Sequence, residues 1–169
     1  MADTRCQVEC EGWVRREWMP TFFGQSFHRE RMPLRSGGVF DFDAVSADKT
    51  IVASISTSGA RTARGKHAVG KLMKLRSDML FLLLSEAPRK VIILCESDMH
   101  ALCEREREGG RVPKDIEFVH ATLPEELATR LVAARKLGSD EVFTVQVSCL
   151  TIVRRLFSVV THLFSHSPI

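Results

Sequence analysis

The sequence predicts an α/β fold: a mixed sheet with an antiparallel three-strand meander, flanked by helices. Two observations carry this. Three β-rich runs between residues 22 and 57 are joined by connections too short to hold a crossover helix, and a parallel pair needs roughly a dozen linking residues. Further on, Lys90 to Cys95 reads Lys-Val-Ile-Ile-Leu-Cys, the near-continuous apolar run of a strand buried on both faces.

The elements follow in order. Residues 5–19 have a helical pattern with Val8, Trp13 and Val14 as core contacts, and Pro20 is expected to end it. Phe22 to Leu34 reads as extended and is closed by Pro33, and Ser36-Gly37-Gly38 marks a turn. Val39 to Val45 alternates as a strand, Ser46 to Lys49 is a tight connection, and Thr50 to Thr57 is β-rich. After a polar loop, the spacing of Val69, Leu72, Met73, Leu75, Leu80, Leu83 and Leu84 predicts a helix over 68–85, ended by Pro88. Asp98 to Glu108 is a charged helix stopped by Gly109-Gly110, Ile116 to Val119 a short strand, and Leu123 to about Leu137 a last helix of the domain.

The chain has 169 residues, the length of one domain. We place that domain at 1–141, with 142–169 as an extension. There Cys149, Ile152, Val153, Leu156, Phe157, Val160, Leu163 and Phe164 fall at helical spacing, an amphipathic helix that would pack on the domain or on a partner subunit as a homo-oligomer. A net charge of +3 excludes no class of partner. Five cysteines without a repeated spacing argue against a disulfide framework, and Cys6 and Cys10 lack the second pair that zinc would need. Met1 to Glu9 has no apolar core of a signal peptide, and no stretch is apolar for long enough to span a bilayer. The expectation is a cytoplasmic protein.

Asp41 and Asp43 sit two apart on the second strand, where their side chains leave one face and repel each other. Two readings remain open: an exposed edge with solvated acids, or a site for Mg²⁺, which takes carboxylate and phosphate oxygens.

The order helix, meander, helix, buried strand over residues 5–97 resembles the core of the PD-(D/E)xK, or restriction-endonuclease-like, nucleases. Gly38-Val39-Phe40-Asp41 resembles the entry to that family's second core strand. Ile51 to Gly59 resembles its third, which normally reads hydrophobic-Glu-x-Lys. Here Ser54 and Ser56 replace the Glu and the Lys. The resemblance implies Asp41 as a metal-binding catalytic residue, with Asp43 and Glu96 completing a Mg²⁺ set if catalysis survives. It also implies Lys66 or Lys71 as a migrated catalytic lysine, and Glu11 or Glu17 of the first helix as further carboxylates.

Arg61, Arg64, Lys66, Lys71, Lys74 and Arg76 form a basic stretch with no acid before Asp78, suited to the phosphates of duplex DNA. The expected function is therefore nucleic-acid binding on a restriction-endonuclease-like fold, with nuclease activity lost or rebuilt from other residues. A scaffold for self-association is the alternative. A third reading rests on Phe40-Asp41-Phe42-Asp43-Ala44-Val45, which resembles the first motif of haloacid-dehalogenase-like phosphatases. That motif implies Asp41 as nucleophile and Asp43 as general acid/base, but also a parallel setting that the short 46–49 connection does not permit.

Overall fold

Helix α1 (Arg5–Trp13) continues through a π-helical turn, Val14–Trp18, into α2 (Met19–Phe23). Pro20 was expected to stop this helix and does not. The π turn, closed by the N–H of Met19 on the Val14 carbonyl, resets the hydrogen-bond register one residue before the proline. Pro20 then falls in the first turn of α2, where a missing N–H costs nothing. The stop comes at Gly24, whose left-handed backbone (φ 74°) caps α2. Phe22 and Phe23 therefore stay helical, and the first strand starts later than the extended run suggested.

That strand is β1 (Phe27–Pro33), followed by β2 (Val39–Ser46), β3 (Ile51–Ser56), α3 (Val69–Leu84), β4 (Arg89–Leu94), α4 (Ser97–Glu108) and β5 (Ile116–His120). A last helix, α5, covers residues 125–136. The computed structural model describes residues 5–61, 65 and 68–136. Arg64, Lys66 and the expected extension 142–169 lie outside the described residues.

The five strands form one sheet in the order β1-β2-β3-β4-β5. β1 to β3 pair antiparallel, as the short connections require, whereas β3, β4 and β5 run parallel. Between β2 and β3 the turn is held by Asp48, whose Oδ1 accepts from Ser46 Oγ (2.7 Å), Thr50 Oγ1 (2.8 Å) and the Thr50 N–H (3.0 Å). Strand β4 is buried on both faces. Val91 and Ile93 join the core beneath α1, α2 and α5, and Ile92 and Leu94 join the core beneath α3 and α4. Helices thus cover both sides of a mixed sheet, a three-layer α/β arrangement. Among the described residues no helix is long and apolar enough to cross a membrane.

Candidate functional site

The site begins with one extra residue in β2. His28 of β1 faces Val45, but Glu30 faces Phe42, so two residues of β1 span three of β2. This is a β-bulge, which bends a strand and re-aims its side chains. Its effect appears in the core, where Phe42 and Val45 join the cluster beneath α3 and α4 while Ala44 joins the cluster on the opposite face. Pairing of β2 with β3 runs through Val45↔Val52 and Ala44↔Ala53. At the next residue the carboxylate of Asp43 takes over: its Oδ2 accepts the Ile55 N–H at 3.0 Å and Ser54 Oγ at 3.2 Å.

A cleft of about 360 Å³ opens there, lined by Arg29, Asp41, Asp43, Ser54, Lys74 and Asp78, with Phe40, Phe42 and Leu82 as its apolar wall. Phe40 stacks on Phe81 of α3 (centroids 4.1 Å apart, 10° between planes), which fixes the β2 side of the cleft against the helix. From α3, Lys74 Nζ donates to Asp78 Oδ2 at 2.8 Å.

The two aspartates of the motif have different partners. Asp41 is exposed and directly opposite Arg31, whose Nε and Nη2 reach its carboxylate at 3.3 and 3.0 Å. This contact holds the Asp41 carboxyl below its usual value. Its charge is thus met by an arginine, where the sequence suggested a cation from solution. Asp43 is half-buried and bonded to β3.

Glu11 and Arg15 complete the surroundings of Asp43. Burial, and then the negative charge of Asp43, push the Glu11 carboxyl up, while Arg15, Lys74 and Arg29 hold it down. Burial lowers the Arg15 guanidinium value, and Asp43 and Glu11 oppose that shift. The Nε of Arg15 is buried and has no hydrogen-bond partner among the described residues, a donor of the kind that costs about 1–3 kcal/mol when left unsatisfied.

Of the other described catalytic and metal-binding candidates, only Ser54 lines the cleft. Ser54 and Ser56 are buried in β3, and Ser56 Oγ accepts the Ser58 N–H at 3.4 Å. Glu96, expected as a metal ligand, follows β4 and is ion-paired with Arg135 (2.9 Å). Lys71 belongs to the same group: burial lowers its ammonium value, Arg135 lowers it further, and Asp98 and Glu96 oppose. Asp98 in turn accepts the Ala60 N–H (3.0 Å). Neither Lys71 nor Glu96 lines the Asp43 cleft.

Of the described basic residues in the 61–76 stretch, Lys74 lines the cleft, Arg61 is exposed, and Arg76 is tied to Glu106 of α4 at 2.8 Å. Arg29 lines the cleft without a hydrogen-bond or ion-pair partner among the described residues, and the sequence reading missed it, as it missed Arg15. The signal for Arg15 was present in Glu11-x-x-x-Arg15, a spacing that puts acid and base on one helical face.

The Mg²⁺ expected from the resemblance fits these residues poorly. Among the described residues no group of three or more His, Cys, Asp or Glu side chains converges as a metal-binding set. Asp41 and Glu96 are each held by an arginine, which leaves Glu11 and Asp43 with Arg15 beside them. Mg²⁺ gives up its water shell reluctantly, and two carboxylates that also feel the charge of Arg15 offer it little.

Comparison of the chain with protein-family models, with curated proteins and with solved structures finds no significant match to any of them.

Proposed function

We propose that this protein binds nucleic acid through the phosphate backbone, on a restriction-endonuclease-like scaffold whose cleavage chemistry has been lost. One observation carries the reading. β2 and β3 part just where a bulge delivers Asp43, and the opening is lined by Arg29 and Lys74 as well as by carboxylates. An acid on the second strand beside the third is the layout that the resemblance implies for a phosphodiester site. With buried serines at 54 and 56, the third strand offers neither a metal-binding carboxylate nor an ammonium to stabilise a transition state. What remains is recognition of charge. Arg29 and Lys74, which line the cleft, are the cations that would meet phosphate oxygens. Such contacts position a backbone and carry no base readout.

Fluorescence anisotropy with a labelled duplex at low salt tests this reading. Binding that weakens steeply with salt is expected, because neutralised phosphates release counterions. Arg29→Glu and Lys74→Glu should each weaken it. No binding by the natural sequence at low salt ends the reading.

Self-association is a second reading, favoured by Val69, Met73 and Leu80, which are exposed along α3. Sedimentation equilibrium decides it: a monomer at high concentration rules it out.

The phosphatase reading loses its structural support, because β2 has antiparallel neighbours on both sides.

A further inference from the structure

We infer that the exposed apolar stripe of α3 is the docking site for the chain's own C-terminal segment, residues 149–164. This does not depend on nucleic-acid binding. A second copy of the chain is the competing occupant, and the test below separates the two.

The stripe is a line, not a scatter. Val69, Met73 and Leu80 are 61, 47 and 54% exposed, and their steps of four and seven keep them within about 40° of one another around the helix. Leu72 beside them is half-buried and joins neither core cluster. Arg76 falls on the same line, but its charge is met by Glu106 of α4 at 2.8 Å and its Nη1 lies 4.0 Å from the Met73 sulphur. Single exposed apolar residues need no explanation, whereas a contiguous row marks a surface that something covers.

Residues 149–164 lie outside the described residues, and two observations point to them. The first is spacing. Cys149, Ile152, Val153, Leu156, Val160, Leu163 and Phe164 follow the same steps as Val69, Leu72, Met73, Arg76, Leu80, Leu83 and Leu84. Helix α3 has 16 residues, about 24 Å, and the segment has the same length. Apolar rows repeating at three and four residues are what two paired helices bury against each other. The second is where the chain leaves the described part. Arg135, in the last turn of α5, pairs with Glu96 at 2.9 Å, and a Cβ on Gly59 would lie 3.8 Å from its Nη1. The next residue, Ala60, accepts the Ala68 N–H at 2.9 Å, just before α3 begins. The chain thus departs beside the first turn of α3, and residues 137–148 can span up to about 40 Å, enough to reach any part of the stripe. A segment tethered there meets α3 at an effective concentration of about a millimolar, which a second copy attains only in very concentrated solution.

The experiment is disulfide trapping in the full chain at micromolar concentration, using the natural Cys149. Val69→Cys and Leu80→Cys are oxidised mildly with diamide and the linked peptides are identified by mass. Val8→Cys serves as the control, because Val8 is 64% exposed on α1, across the sheet from α3. Cys149 should join position 69 or position 80 within one chain, according to the direction in which the segment runs, about tenfold faster than position 8. Linkage between chains gives the stripe to a second copy and overturns the inference. So does linkage to position 8 at the same rate, or none to either position of α3. A second pair of substitutions needs no cysteine. Met73→Gln with Leu80→Gln keeps good helix formers and should speed tryptic cleavage after Arg154 and Arg155 about tenfold, with the circular dichroism of the domain unchanged. Equal cleavage rates in the natural and doubly substituted chains also overturn it.

Discussion

Asp43 Oδ2 accepts the backbone N–H of Ile55 at 3.0 Å, so a side chain of β2 satisfies a main-chain donor of β3 at the point where their ladder stops. The acid at the head of the cleft is therefore also a structural brace. Asp43→Ala strips the Ile55 N–H and the Ser54 hydroxyl of their acceptor and should cost about 1–3 kcal/mol, with Asp43→Asn milder because it keeps a carbonyl oxygen. Urea denaturation of both variants checks this, and equal losses would mean that the charge, rather than the acceptor, holds the strands.

Introducing the nuclease motif at positions 54 and 56 should fail. Ser54 and Ser56 are 7% exposed, so Ser54→Glu sets a second negative charge beside Asp43 on the cleft wall, and Ser56→Lys forces a long charged side chain into packed space. Overpacking alone costs about 1–3 kcal/mol, and burying the charges adds to it. We expect a lower melting temperature and no Mn²⁺-dependent nicking of supercoiled plasmid. Cleavage by the double variant at unchanged stability would show that the strand has room for the family's chemistry.

Lys71 and Lys74 are one turn apart on α3 and should behave differently. Lys74 lines the cleft, whereas Lys71 sits among Arg135, Asp98 and Glu96. Lys74→Glu should weaken duplex binding and reduce the salt slope by about 1. Lys71→Glu should leave the slope nearly unchanged. Anisotropy titrations across a range of salt concentrations separate the two.

Stability should fall at high pH through the buried thiols. Burial pushes Cys10 and Cys95 up to about 12 and Cys103 to about 11, from an ordinary 9.0. Groups raised in the folded state stabilise it fully below the unfolded value, and that contribution is lost as pH climbs from about 9 towards 12. Denaturation midpoints measured from pH 8 to pH 11 should decline, and Cys95→Ala should flatten the decline even where it lowers the starting value.

At low pH the carboxylates act with the opposite sign. Hydrogen bonds from Thr50 and Ser46 hold Asp48 at about 2, and Arg111 and Arg76 hold Glu106 at about 2. Depressed groups stabilise the fold above their unfolded values, and this is lost as pH falls from about 4 to 2. Asp48→Asn should flatten the acid limb of the same midpoint series. An unchanged acid limb would remove the β2–β3 turn from the list of acid-sensitive contacts.

Much of the fold was legible because it depends on local pattern. Residues 46–49 cannot carry a crossover, so β2 and β3 had to be antiparallel. The apolar run 90–95 had to be central, and the structure buries its alternate residues in two different cores. The end of the first helix was misread because Pro20 looks like a stop unless the π turn before it is known. The basic stretch was legible as a composition, but how each base is used depends on what packs beside it. Arg76 meets Glu106 across α3 and α4, and Lys71 meets a group supplied by the start of α4 and by α5.

The amino-acid sequence by itself determined the antiparallel meander, the buried strand, the alternating helices, and the serines at positions 54 and 56 of β3. Each follows from connection length, periodicity or residue identity, which are properties of neighbours in the chain. The tertiary structure decided which acid heads the cleft and which cations answer it. A single extra residue in β2 shifts its register against β1 and turns Asp43 towards β3, while Asp41 stays opposite Arg31. Pattern within one strand cannot specify that shift, because a bulge is set by how two strands are held against each other. The placing of Glu11 and Arg15 beside Asp43 likewise required α1 to pack across the sheet, and only the packed core brings together groups more than twenty-five residues apart.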